Sequence, residues 1–441
     1  MERIKVLTVK TEAHRIEVGY MVSEGLKPYF NKEVDTFFVE YSQPVGDVPA
    51  GIAVVPFVAN VLPIVWLTDS VLELDEIDKS FYESIDDFKQ GYIAMYPAAV
   101  FGGKVEAQHI VENGYATEGC AMFFSGGADA YSTLVEHREE RPMLLSVIGA
   151  DITLDDKEGI LNQTRIMEKG TEDFQLPAPC LISSNFRNFI IGKTLDDLVR
   201  IYGEDWWHGF QHGIGLICLS APIAFCKHLK TVYIASTNVK GHHATCASDG
   251  SIDNYVRFGG TQVVHAQFEM SRQQKIALIV DCCKKEGRRI KLRVCWRSKG
   301  GYNCCHCEKC YRTIFAIVAE GGDPKEYGFN MTNKDFLDAE RIVKKSLYKT
   351  YGMVRDKWIE IVNKVKARNM VPDSRMDWVL SLDPFHPCGR IERKFLRITC
   401  PIRRLCRTLS KRFAFLLNRT FDFVLGTHAR KHSNKFGVLL A

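Results

Sequence analysis

Two short patterns in this chain of 441 residues hold side chains that can do chemistry. The more specific is Cys295-x8-Cys304-x2-Cys307-x2-Cys310. Tight Cys-x2-Cys steps fold thiolates around a tetrahedral Zn²⁺, while the more distant cysteine arrives from a strand end. Four thiolates fill the coordination sphere, so the pattern predicts a structural zinc site without a catalytic water. An iron–sulfur cluster is the competing occupant, separable by metal analysis and anaerobic absorbance. Cys305 and His306 lie inside the knuckle as bystanders, because a histidine ligand would break the regular spacing.

The second pattern is Ser125-Gly126-Gly127-Ala128-Asp129, between an apolar run ending at Phe124 and a helix-compatible stretch from Ala130 to Arg138. Paired glycines admit positive φ and let several backbone N–H groups converge on one anion. A helix that starts directly afterwards adds its positive end, so the turn suits pyrophosphate. Ser-Gly-Gly alone also occurs in plain turns; the preceding strand, the aspartate at its offset and the following helix set this one apart. Neither Gly-x-x-x-x-Gly-Lys-Ser/Thr nor Gly-x-Gly-x-x-Gly at a first strand–helix turn is present, which disfavours a P-loop kinase and a dinucleotide oxidoreductase.

The turn resembles the Ser-Gly-Gly-x-Asp-Ser signature of the PP-loop ATP pyrophosphatases. That resemblance implies an adenine nucleotide α-hydrolase-like fold, ATP with Mg²⁺ at Ser125, Gly126, Gly127 and Asp129, cleavage to AMP and pyrophosphate, and adenylation of a substrate oxygen. Ala130 stands where the family usually has Ser or Thr, which removes one phosphate ligand; Ser132 is the candidate replacement. With the cysteines and Arg312 added, residues 119–320 are similar to the 7-cyano-7-deazaguanine synthase family, in which four cysteines hold zinc and a carboxylate is converted through an amide to a nitrile. Cys305 occupies a place usually held by Gly in that family, and the loops between the strands differ, so the deazaguanine substrate is not carried over. The implied activity is AMP-forming C–N ligation or amidotransfer. The alternative is a nucleotide-binding zinc protein without turnover, a sensor or a membrane-surface scaffold.

Further candidates are weaker taken singly. Arg272 and Lys275 open a helix at Ser271, three apart on one face, where cations would neutralise leaving pyrophosphate or simply be solvated. Arg187, in Ser183-Ser184-Asn185-Phe186-Arg187, could hold a carboxylate or phosphate, with Ser184 and Asn185 facing the same crevice. Asp151 follows another strand. Asp253 sits in a long loop with Gly241-His242-His243, as an amine-orienting group or base. His208 and His212 have i, i+4 spacing but no accompanying glutamate motif, so packing or a substrate pocket is preferred to metal binding.

These residues need a parallel sheet to position them. Short apolar runs at Ala121 to Phe124, Met143 to Ile148, Ala178 to Ile182, Thr231 to Ser236 and Lys291 to Val294 alternate with helical stretches. The pattern predicts an α/β fold with helices on both faces of the sheet and ligands beyond the carboxyl ends of the strands. The expected domains are a small N-terminal α+β domain over 1–115, with a helix around Asp75 to Met95, and a nucleotide domain with zinc knuckle over 116–325. A helical extension over 326–389 and a basic amphipathic tail over 390–441 follow.

Composition agrees with a folded chain: 46% hydrophobic and 25% charged residues. Fifteen spread cysteines, four of them clustered, point to a reduced cytoplasm. Met1 leads into a short strand rather than a signal peptide, and the apolar Gly51 to Leu67 run reads as buried core. The net charge of +5 conceals thirteen Lys/Arg against two acids between Arg390 and Lys435, so the rest is net acidic. Within the tail, Ile402, Leu405, Leu409, Phe413 and Leu416 recur at helical spacing among arginines and lysines. Such a helix fits the inner face of a membrane or the acidic body; nucleic acid is disfavoured. No N-terminal cysteine nucleophile is present, so nitrogen arrives free as ammonia, from a partner subunit, or within an amine-bearing small-molecule or peptide substrate. A homodimer is compatible with the sequence.

Overall fold

In the computed structural model, residues 1–387 are described except 116, 242–244, 296, 298, 350–352 and 370. The chain divides into two compact units, Met1–Asn303 and Cys304–Ala441. His242, His243 and the tail helix expected within 390–441 lie outside the described residues.

The first unit is α/β, built on one mixed, mostly parallel sheet. Its strands are β1 (Arg3–Thr11), β2 (Arg15–Val22), β3 (Thr36–Tyr41), β4 (Val71–Asp78), β5 (Lys104–Val111), β6 (Cys120–Phe123), β7 (Met143–Ile148), β8 (Cys180–Ser184), β9 (Thr231–Ala235), β10 (Arg257–Phe258) and β11 (Thr261–Ala266). Their order is β10-β11-β9-β6-β7-β8-β3-β2-β1-β4-β5. Strands β8, β7, β6, β9 and β11 run parallel. Continuous burial of Cys120–Phe123 explains why β6 reads as an unbroken apolar run: it has neighbours on both edges, and neither of its faces is open to water.

Residues 1–115, expected as a separate small domain, contribute five strands to this same sheet. The link is β3, antiparallel to both β2 and β8. The helix expected from Asp75 begins later: Val71–Asp78 is β4, paired between β1 and β5, and helix Lys79–Met95 starts where the Asp78 side chain accepts from Phe81 N–H. Helix Val55–Leu67 is buried over nearly its whole length, as the apolar run from Gly51 predicted. Trp207–Cys226 is long and apolar enough to cross a membrane by length and composition, and most of it is buried inside the fold.

The fifth parallel strand is β11, not Lys291 to Val294. The backbone of that segment is engaged elsewhere: Arg293 N–H donates to Gly126 C=O at 2.7 Å and Val294 N–H to Asn303 Oδ1 at 2.9 Å. The short apolar run therefore marks a segment clipped to the glycine turn rather than a sheet member.

The described part of the second unit is helical, with Glu308–Ala319, Asn333–Lys349, Met353–Arg368 and a short 3₁₀ segment, Ser374–Ser381. Phe315 packs against Trp358 and Trp378, and Trp358 Nε1–H donates to Glu308 Oε1 at 3.0 Å.

Candidate functional site

Strand β6 is the first of the parallel set in sequence, with β7 on one side and β9 on the other. The chain reverses its direction of winding there, which opens a crevice beyond the carboxyl ends of the strands. The Ser125–Asp129 turn leaves β6 at this point and helix Ala128–His137 follows, with Gly127 as its N-cap. Gly126 has φ +73°, and a Cβ on it would lie 2.7 Å from Ile166 Cγ2, so both conformation and space call for glycine. Ser125 is exposed, and its Oγ accepts from Gly127 N–H at 3.3 Å.

Helix Arg272–Glu286 brings its first turn to the same place. Ser271 and Gln274 cap it reciprocally, which fixes where the helix starts. Arg272 pairs through Nη1 with Asp129 Oδ2, and Lys275 Nζ lies 3.9 Å from Asp129 Oδ1. Lys275 Nζ also donates to the Ser236 carbonyl, just past β9, at 2.5 Å. Burial pulls the Lys275 pKa below the usual lysine value, and Asp129 opposes that shift. Asp129, Arg272 and Lys275 therefore converge beside the turn.

Other expected residues fall differently. Ser132 is fully buried within its helix and its hydroxyl has no partner among the described residues; Ala130 is buried as well. Arg187 lies with its guanidinium 4.3 Å from the Trp207 ring centroid; burial lowers its pKa against the charges of Asp151, Asp205 and Asp196. Asp151 itself is exposed.

Ser184 and Asn185 do not face the crevice. Ser184 Oγ–H donates to Phe38 C=O at 2.6 Å and Asn185 bonds Phe38 N–H and Thr36 C=O, because they satisfy the backbone of β3 where it joins the parallel strands. Asp253 lies in the short helix Gly250–Asp253, fully buried, where Oδ2 accepts from Ser248 Oγ–H and meets His265 Nδ1, each at 2.8 Å. Burial raises its pKa and His265 opposes. His208 meets Glu204 at 3.3 Å and His212 meets Cys246 Sγ at 3.8 Å; neither belongs to a metal-competent cluster among the described residues.

Cys295, Cys304, Cys307 and Cys310 do form such a cluster, with their Sγ atoms all within 4.8 Å of one another. Zn–S bonds of about 2.3 Å in a tetrahedron separate the sulfurs by about 3.8 Å. Cys304 and Cys310 Sγ are 3.8 Å apart, far beyond disulfide length, and no described cysteine is disulfide-bonded. The donor set thus fits a thiophilic metal such as zinc. His306 is largely exposed and outside the set. Cys305 has φ +55°, a left-handed conformation that favours glycine.

The sequence reading missed Arg293 and Gln163. Gln163 Nε2–H donates to Phe124 C=O at 3.0 Å, and Arg293 Nη1–H donates to Gln163 Oε1 at 3.3 Å, so both brace the turn. The one available signal for Arg293 was its position two residues before the first cysteine. No protein-family model matches this chain, and no curated protein or solved structure matches it.

Proposed function

We propose that the chain is an AMP-forming, ATP-dependent enzyme of the PP-loop class, acting in C–N bond formation. The observation that carries this reading is the glycine turn at the switch point of the sheet, with Arg272 and Lys275 gathered on its Asp129. Backbone N–H groups and the start of helix Ala128–His137 would cradle the polyphosphate. Arg272 and Lys275 would balance the charge that grows on pyrophosphate as it leaves. Mg²⁺ would shield the phosphate oxygens, with Asp129 as the carboxylate of the turn available to it.

In the proposed reaction a substrate carboxylate or amide oxygen attacks the α-phosphorus and pyrophosphate departs with the bonding pair. An amine or ammonia then attacks the activated carbon, and AMP leaves with the former substrate oxygen. Arg187, half-buried over Trp207, is the candidate group for orienting a substrate anion. The nitrogen comes free, from a partner subunit, or with the substrate, in a reducing cytoplasm that keeps the cysteines as thiols. The cysteine cluster would hold zinc in a structural role.

The test is incubation with ATP, Mg²⁺, ammonium and a panel of carboxylates, followed by separation of AMP and pyrophosphate. AMP that forms only with a carboxylate, and drops at least about a hundredfold in Lys275→Met, supports the proposal. Absence of ATP binding in equilibrium dialysis sinks it. A second reading, a nucleotide-holding protein without turnover, is favoured by one observation: Ala130 offers no hydroxyl beside the turn. Recovery of bound ATP intact in the presence of every substrate would select it.

A further inference from the structure

We propose that Arg293 is a third cation of the phosphate site and binds the pyrophosphate part of the nucleotide, an assignment that rests on the nucleotide reading above. Its main chain is built into the turn. Arg293 N–H donates to Gly126 C=O at 2.7 Å, and its carbonyl lies 3.6 Å from where a Cβ on Gly127 would stand. Its side chain is tied to the same place through Gln163, which holds the carbonyl of Phe124, the residue just before the turn. The guanidinium is thus registered on Ser125–Asp129 from a segment that belongs neither to the sheet nor to the two helices carrying Asp129, Arg272 and Lys275.

The hydrogen-bond partner of this guanidinium carries no charge. Its side-chain hydrogen bond goes to a neutral amide, and Nε is buried with no partner among the described residues. No ion pair to Arg293 is found among the described residues. An arginine stays charged, so its donors are costly to desolvate unless an anion completes them. Gly301, at φ +79°, makes room: a Cβ there would stand 3.1 Å from Arg293 Nε. The cradle of the turn and a planar donor fork with an unpartnered N–H suit a ligand with several anionic oxygens in a row.

Binding of pyrophosphate, ATP and AMP in buffered Mg²⁺ by isothermal titration tests this on the full chain, comparing wild type with Arg293→Ala and Arg293→Gln. The Gln variant removes the charge while keeping an N–H for Gln163, so it guards against a variant that fails to fold. The expected result is a loss of at least about tenfold in affinity for pyrophosphate and ATP, about 1.4 kcal/mol, with AMP affinity unchanged. Wild-type binding of pyrophosphate that persists at equal affinity in a folded Arg293→Gln overturns the role of Arg293 alone. A wild type that binds neither pyrophosphate nor ATP removes the nucleotide reading, and this assignment with it.

Discussion

Asp129 and Arg272, 143 residues apart, meet as an ion pair where helices Ala128–His137 and Arg272–Glu286 pack together. Lys275 adds a second cation from the next turn of its helix and anchors it to the backbone beyond β9. The carboxylate of the turn therefore faces two cations, with Glu136 also acting on Lys275 through space. Two cations beside a helix N-terminus suit this place to an anion.

Asp129→Asn should expose the cost of this arrangement. The side chains of Asp129 and Arg272 are 17% and 9% exposed, and removing one partner of such a pair leaves the other charge poorly solvated. A loss of about 3 kcal/mol of stability is expected, read as a lower urea midpoint with unchanged slope. An unchanged midpoint would mean that water already solvates the pair and that it does not organise the turn.

The parts legible in the sequence were the local ones. The cysteine spacing, the glycine turn after β6 and the cap at Ser271 each fit within a few residues, so composition and spacing could disclose them. What Arg272 and Lys275 touch was not legible, because Asp129 lies 143 residues earlier in the sequence. Long-range pairing also hid β3: nothing local in Thr36–Tyr41 says that it will run against β8 and claim Ser184 and Asn185, which sequence alone assigned to the crevice. Lys291 to Val294 misled for a related reason. It reads as a short strand, but its N–H groups are engaged by Gly126 and Asn303, and this concealed Arg293. Asp253 looked like a loop base until its burial with His265 placed it in the interior.

His212 should give acid sensitivity with a definite sign. Burial holds its pKa at about 4, with Asp151 opposing and His208, Arg187 and His265 adding to the depression. The unfolded chain takes its proton near pH 6.5, so the unfolded state binds more protons between those values. The stability owed to neutral His212 is complete above pH 6.5 and is lost as pH falls through about 4, on the order of 3 kcal/mol. Urea unfolding of wild type and His212→Gln across this window should show the steeper acid decline in wild type. Parallel curves would place His212 in a wetter setting than its burial implies.

Metal analysis of the purified chain should find about one zinc per molecule and none of the visible absorbance of an iron–sulfur cluster. Cys307→Ser removes one thiolate of the cluster and should release the metal and lower the thermal midpoint, since ligand binding free energy is folding free energy in such sites. Cys305→Gly should keep the metal and raise the midpoint, because residue 305 sits at φ +55° and glycine reaches that conformation without strain. Retention of stoichiometric zinc by Cys307→Ser would show that this thiol is not a ligand.

The two glycines of the turn should separate conformation from contact. Gly126→Ala forces a side chain to φ +73° and drives its Cβ to 2.7 Å from Ile166 Cγ2. Strain and overlap together should lower stability by about 2–4 kcal/mol. Gly127 is different: its φ is −75°, and a Cβ would meet Ser125 Oγ at 3.2 Å and the Arg293 carbonyl at 3.6 Å, a contact that a small shift of the serine relieves. Gly127→Ala should therefore cost under about 1 kcal/mol. Adding Ile166→Ala to Gly126→Ala removes the overlap but not the strained φ, and it opens a cavity of its own, so each single substitution must be measured beside the double. The expected result, read from that cycle by urea unfolding, is a double variant that loses less stability than the sum of the two single losses. Strict additivity would mean that Ile166 does not enforce glycine at 126, leaving the left-handed backbone as the whole reason for it.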